Sequence, residues 1–334
     1  MSPQAPTGER GDPLVTVIIP THSHADTVDL ACRSVLAQSV RQLELVVIGD
    51  GVTPEVRAAV AALLSDERVR FIDGPKSSSR AEQVRHQVIV QAVSPHICYL
   101  GDDDIMLPDH LASTLNRLED VDFTHPLPVF IDRQGTLQAH LTDLAEPRCR
   151  LWHQHPFRNA VSLTGVGHRL EAYRKLPHGW RETPPGRWSD HYMWQQWFAT
   201  PGLRYATGDR LTVLKFEASG RGDMTGEQRR AETVAWLQRS RQPGFDAWLA
   251  DQAAGAIRRA AIELRLDLDF QTDQFTLVRD AMAEREASLR AELAQLSDRA
   301  AEAVAETRAI QASRTWRIRN RLVSFPPLSW LSRG

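Results

Sequence analysis

The chain has 334 residues, 42% of them hydrophobic and 25% charged, with a net charge of −2. That balance suits a globular protein of one large or two ordinary domains, and it supplies no basic field for nucleic acid. No run approaches the roughly 18 apolar residues of a membrane-spanning helix. Residues 1–12 lack the basic and apolar regions of a signal peptide and read as a disordered leader. Cys32, Cys98 and Cys149 are widely spaced and odd in number, which fits a reducing, cytoplasmic setting rather than a disulfide framework.

From there the elements alternate. "PLVTVIIP" (13–20) is a β-branched run ended by proline and reads as a buried strand. "ADTVDLACRSVLAQS" (25–39) has helical spacing, and "LELVVIGDG" (43–51) is a second strand. "PEVRAAVAALLS" (54–65) is a helix with proline at its first position, and "VRFIDG" (69–74) a third strand. "SSSRAEQVRHQVIVQAV" (77–93) is a helix with serine caps available, "HICYL" (96–100) a fourth strand, and "PDHLASTLNRLE" (108–119) a further helix. Such alternation implies a mostly parallel sheet covered on both faces, with the ligand site beyond the carboxyl ends of the strands. Thr21-His22-Ser23, Asp50-Gly51 and Asp102-Asp103-Asp104 each follow a strand, so they should converge on one edge.

After residue 120 the pattern changes. "LPVFIDRQGTLQAH" (127–140) looks like a hairpin turning at Asp132–Gly135, and "LRYATGDRLTVLKF" (203–216) like two short strands. Trp180, Trp188, Trp194 and Trp197 read mostly as core, with one or two free to line a ligand subsite. From 226 the chain is helical. Met282, Leu289, Leu293, Leu296, Ala300, Ala303 and Ile310 form a heptad interrupted by Glu286 and Thr307, which suggests a helical arm or short coiled coil and a homo-oligomer through 282–310. Residues 313–334 carry five arginines, no acid and two tryptophans. That composition suits peripheral contact with an anionic membrane at its cytoplasmic face.

Three adjacent carboxylates repel one another. At a strand end they suit a hard divalent cation, Mg²⁺ or Mn²⁺, which binds through oxygen and tends to share substrate phosphates. Asp50 can accept from a base or ribose, and Arg85 can pair with a phosphate or a base edge.

Together, "VTVIIPTHSHADTVDLACRSVLAQS", "LELVVIGDGVTPE", "SRAEQVRHQVIVQA" and "YLGDDDIMLPDHL" resemble, in order and spacing, the family-2 glycosyltransferases of the GT-A fold. The resemblance covers roughly residues 13–220 and implies a mostly parallel, Rossmann-like α/β domain over 13–225. A helical region (226–281), an arm (282–312) and the tail (313–334) would follow. It implies that Pro20, Thr21 and His22 line the nucleotide base and that Asp50 contacts it; Arg85 falls on the arginine of the family's Arg-Asn pair. Only the second acid of the family's Asp-Asp-Gly survives, in Gly49-Asp50-Gly51. Aligned on "LPDHL", the family's Asp-x-Asp falls on Gly101 and Asp103, which leaves Asp102 for the ribose; another register uses Asp102 and Asp104. Asp103 and Asp104 are thus the metal candidates. The general base would be Asp190, where Ser189-Asp190 stands for the family's Glu-Asp at a helix start.

The implied reaction is transfer of a sugar from a nucleotide-diphospho-sugar to the hydroxyl of a glycan or lipid-linked acceptor. It would be inverting and metal-dependent, and would serve cell-surface polysaccharide or glycoconjugate synthesis. "QQW" (195–197) lacks the arginine of processive members, so one sugar per encounter is expected. A sugar-phosphate nucleotidyltransferase would want a glycine-rich, arginine-containing loop where "PTHSHA" stands. A non-catalytic relative that binds nucleotide, or a partner through its helices, is the other alternative.

Overall fold

The structure, a computed structural model, describes residues 11–217 and 221–323. In chain order, β1 (Val15–Thr21), α1 (Val28–Leu36), β2 (Leu43–Asp50), α2 (Pro54–Ala61), β3 (Val69–Gly74), α3 (Glu82–Gln91) and β4 (His96–Tyr99) alternate as their sequence patterns require. Next come β5 (Ile105–Met106), α4 (His110–Leu118), β6 (Phe123–His125), the hairpin β7 (Val129–Ile131) and β8 (Leu137–Ala139), and α5 (Pro147–Trp152). β9 (Gly167–Arg169), α6 (Leu170–Tyr173), α7 (Ser189–Ala199), β10 (Tyr205–Thr207) and β11 (Val213–Leu214) complete the sheets.

The main sheet runs β10-β6-β9-β4-β1-β2-β3. All its pairings are parallel except those of β9, which runs antiparallel between β4 and β6. β1 lies centrally, so its apolar side chains must be buried on both faces. Ile18 packs with Val46, Ile97, Val88 and Ile89 on the α3 face, while Val17 and Ile19 pack with Val28, Val35 and Val56 on the α1/α2 face. Each such side chain contributes about 1.5–3 kcal/mol through burial.

α2 starts as its sequence indicates: the Thr53 hydroxyl accepts from Val56 N at 3.4 Å and Pro54 follows. α3 starts later than the serine run suggests. Ala81 adopts φ 56, the left-handed region, so the helix begins at Glu82. The Ser77 hydroxyl instead accepts from Ala81 N at 2.8 Å, and Glu82 accepts from Arg80 N at 2.9 Å and from the Ser79 hydroxyl at 2.8 Å. The run therefore builds a shaped loop between β3 and α3.

A further apolar cluster joins the hairpin strands and β11 to α8 (Gly226–Ser240), through Trp236, and to the first turns of α9 (Phe245–Ala312), through Phe245 and Leu249. The chain divides into two units, residues 1–262 and 263–334, with α9 continuing from the first into the second. In the second unit α9 is followed by α10 (Arg314–Val323). The tail reading of 313–334 rests partly on Phe325, Leu328, Trp330 and Leu331, which lie outside the described residues. Among the described residues, no helix is long and apolar enough to cross a membrane.

Candidate active site

β4 delivers the three aspartates to the carboxyl end of the sheet, and each meets a different environment. Asp102 Oδ1 lies 2.9 Å from His24 Nδ1, on the loop after β1. The hydrogen bond to Asp102 raises the His24 pKa to about 9, against the opposing effect of burial. At neutral pH His24 is therefore an imidazolium and acts as the counter-ion of Asp102. Asp104 is buried, and both its oxygens are engaged: one accepts from the Thr164 hydroxyl, the other from Phe216 N at 2.8 Å. Lys215 Nζ stands 3.9 Å from Asp104. Asp103 has less compensation, only the smaller pull of the Lys215 and His24 charges. Burial, then the charges of Asp104 and Asp102, push its pKa up to about 7.

Those donors suit a hard cation. One ligand atom each from His24, Asp102 and Asp103 lie within 4.8 Å of one another. A divalent ion would relieve the charge that holds the Asp103 proton on, and use of the His24 ring nitrogen would first displace its proton. Gly101 leaves no room for an acid of its own, because a Cβ there would sit 2.8 Å from Asp104 Oδ2 and 3.1 Å from the Thr164 hydroxyl.

A cleft of about 550 Å³ opens beside this edge. Asp103, Asp104, Asp190, Lys215, Arg80 and Trp188 are among the residues that line it. Asp190 arrives on the first turn of α7, which is anchored by buried Trp194 and Trp197; Trp194 Nε1 donates to the Val161 carbonyl at 3.0 Å. The Asp190 carboxylate accepts from His191 N at 2.7 Å, and the helix N-terminus favours its negative charge. Lys215 remains an ammonium: Asp104 first, then Asp103 and Asp190, raise its pKa against burial. A second cleft, of about 500 Å³, is lined by Lys175, His178, Arg181 and Tyr192 and contains none of the candidate residues.

The ends of β1 and β2 form the other half of the edge. Pro20 and Thr21 close β1, and Thr21 Oγ1 is buried with no hydrogen-bond partner among the described residues. His22 Nδ1 lies 2.7 Å from the Asp50 carbonyl, which joins the first two polar clusters. Asp50 is buried; burial alone would raise its pKa, but Lys76 Nζ at 2.5 Å and Ser77 N at 2.6 Å bring it below the usual carboxylate range. The structure thus brings His22 to Asp50, and Asp103 and Asp104 to Asp190. Arg85 behaves differently. Its guanidinium is buried 4.5 Å above the Trp180 ring, donates to the Arg80 carbonyl, and leaves Nε and Nη1 without partners among the described residues. Arg80, rather than Arg85, lines the cleft.

His24, Lys76, Thr164 and Lys215 escape a sequence reading. His24 lies only two residues beyond the motif histidine, so its nearness to the strand end was the available signal. Lys215 and Thr164 reach the aspartates through tertiary structure alone; Phe216 and Asp104, which are bonded to each other, are 112 positions apart.

Residues 16–163 match the model of a family described as Glycosyl transferase family 2. An uncharacterized glycosyltransferase from Rickettsia conorii is 27% identical over 112 residues, which are 34% of this chain and 18% of that relative. WcaA of Escherichia coli, provisionally named a colanic acid biosynthesis glycosyl transferase, is 29% identical over 104 residues, 31% of this chain and 37% of the relative. The matches therefore span well under half of either relative's length. Among solved structures, the mannosyltransferase PcManGT from Pyrobaculum calidifontis, in complex with GDP-Man and Mn²⁺, shows 18% identity at a TM-score of 0.45, covering 75% of this chain and 76% of its own. The segment 16–163, which carries the four motifs in order on a mostly parallel sheet, is thus similar to the family-2 glycosyl transferases.

Proposed function

We propose that the chain transfers one sugar per encounter from a nucleotide-diphospho-sugar to an acceptor hydroxyl, with inversion at the anomeric carbon and with the aid of Mn²⁺ or Mg²⁺. The observation that carries this reading is the shared cleft: Asp103, a member of the cation-suited cluster, and Asp190, at a helix start, line the same space.

In this reading Asp190 accepts the proton of the acceptor hydroxyl as its oxygen attacks the anomeric carbon. The bond from that carbon to the diphosphate breaks on the opposite face. Asp103 leads the cation site and Asp102 takes the ribose; Asp104 would have to release Thr164 to join as a ligand. The bound cation supplies charge stabilisation to the leaving diphosphate. Lys215 adds a fixed positive charge to the same cleft. His22 and Asp50 hold the base, with Lys76 and Ser77 fixing the Asp50 carboxylate. Trp188, 49% exposed, offers an indole face to a sugar. The naming of the Escherichia coli relative supports polysaccharide synthesis; the acceptor in this reading is a glycan or a lipid-linked glycan.

A screen of nucleotide-sugars by thermal unfolding, with and without Mn²⁺, tests the reading, because a ligand that binds only the folded state raises its apparent stability. At least one nucleotide-sugar should raise Tm, and more so with Mn²⁺ present. A full panel without effect in either condition would refute donor binding.

A further inference from the structure

In the second unit, the apolar side chains of α9 lie bare. Met282 is 68% exposed, Leu293 70% and Leu296 61%. Exposed apolar residues on one side of a helix in this number mark an interaction surface. Their spacing identifies the kind of partner. Met282, Leu289, Leu296, Ala303 and Ile310 recur at a strict seven-residue interval. On a straight helix of about 3.6 residues per turn that column would drift around the surface; a constant seven-residue repeat belongs to helices that wind around another helix. The companion column, three residues earlier, is Arg279, Glu286, Leu293, Ala300 and Thr307.

The charges in and beside these columns select the direction of the partner. A parallel second copy would set Arg279 against Arg279 and Glu286 against Glu286 in the seam, and Arg285 against Arg290 on the flank. All three contacts repel. An antiparallel second copy removes them. With Leu293 of one copy against Leu296 of the other, Arg279 meets Ile310, Glu286 meets Ala303, and Thr307 meets Met282. The small Ala303 leaves Glu286 room to reach water along its aliphatic stem. On the flank the same alignment sets Arg285 opposite Glu306 and Glu292 opposite Arg299, each pair twice by symmetry. Within one chain Arg285 Nη1 lies 3.8 Å from Glu292, with side chains 65% and 60% exposed, so little is lost when either turns to the partner.

We propose that residues 279–310 pair with the same segment of a second copy of this chain as an antiparallel two-stranded coiled coil, with Leu293 of each copy packed on Leu296 of the other.

Sedimentation velocity of the full chain is expected to show a dimer; a monomer at every concentration reached would overturn the proposal. Cross-linking reads the direction. Cys149 is the one cysteine that is not buried among the described residues, so the background is Cys149→Ser. Chains carrying Met282→Cys and chains carrying Thr307→Cys are oxidised separately and mixed. Only the mixture should give a disulfide-linked dimer, because antiparallel copies hold the two 282 positions about 38 Å apart, ~25 residues at ~1.5 Å each. Self-linking of the Met282→Cys chain would show parallel helices and overturn the alignment. Arg285→Glu should weaken the dimer several-fold, and the addition of Glu306→Arg should restore it. A double variant as weak as the single one would overturn the flank pairing.

Discussion

Asp103 carries the least compensated charge of the three adjacent aspartates. Its neighbours have an imidazolium, a hydroxyl, a backbone N–H and an ammonium between them, whereas its own carboxyl is pushed up to about 7. Asp103→Asn should keep the fold, since it removes a repulsive charge, and should abolish metal-dependent binding of a nucleoside diphosphate. Calorimetric titration with and without Mn²⁺ checks this; unchanged metal-dependent affinity would move the assignment to Asp104. Asp190 is placed for a different task, lining the same cleft with no part in the aspartate cluster. Asp190→Asn should preserve donor binding and lower sugar transfer by at least about 10²-fold, the lower range for a positioned general base. Normal turnover in that variant would place the base elsewhere. The candidate acids were legible in the sequence because each sits beside a strand or helix end. Their counter-charges were not: Lys76 and Lys215 are ordinary surface-type residues in sequence, and only packing turns them toward Asp50 and Asp104.

At the scale of elements, the turns after the strands shape the site more than the strands do. Gly51 follows β2 at φ +65, and a Cβ there would meet Lys76 backbone atoms at 2.8 Å. Gly51→Ala should therefore cost about 1–3 kcal/mol, from the left-handed backbone and from displacement of the Lys76 segment. Displacing that segment pulls Lys76 from Asp50, so nucleotide affinity should fall with stability. Chemical denaturation and nucleotide titration of the variant check both; a variant as stable as the parent would show that the segment moves freely. The alternating strands and helices from β1 to α4, apart from short β5, and the hairpin turn at Asp132–Gly135 were legible because their periodicity and turn residues are local, whereas β6, α5, β9 and α6 were not. The start of α3 was not: a loop closed by Ser77, Ser79 and Glu82, with Ala81 left-handed, outweighs the capping preference of serine.

Across the molecule, buried histidines set the response to acid. His110, His125 and His168 are buried, and burial pushes each pKa down to about 3. The unfolded chain takes up these protons near pH 6.5, so their contribution is complete above that value and fades as the pH falls toward 3. Between pH 7 and 5 each should cost up to about 2 kcal/mol. Asp103, raised to about 7, takes up its proton in the folded state over the same interval and opposes the trend. The measurement therefore belongs in the Asp103→Asn background: Tm should fall from pH 7 to 5, and His110→Gln should flatten the slope in part, because buried His153, lowered to about 4, contributes as well. A slope unchanged by His110→Gln would mean that this histidine is not buried neutral.

Composition, periodicity and strand-end motifs by themselves determined the alternating α/β domain, its family resemblance and the carboxylates that face one edge, because these depend on neighbours within a few residues. The spacing of α9 likewise contains its seven-residue repeat without any tertiary contact. Only the tertiary structure decided which acids share a cleft, that Arg85 is buried against Trp180 while Arg80 lines the opening, and that Thr164, Phe216 and Lys215 close on Asp104. Those contacts join segments more than a hundred positions apart in the case of Phe216 and Asp104, and they are set by how β9 and β11 dock beside β4 and β5. No local pattern encodes that docking; it follows from burying the apolar faces of all four strands at once.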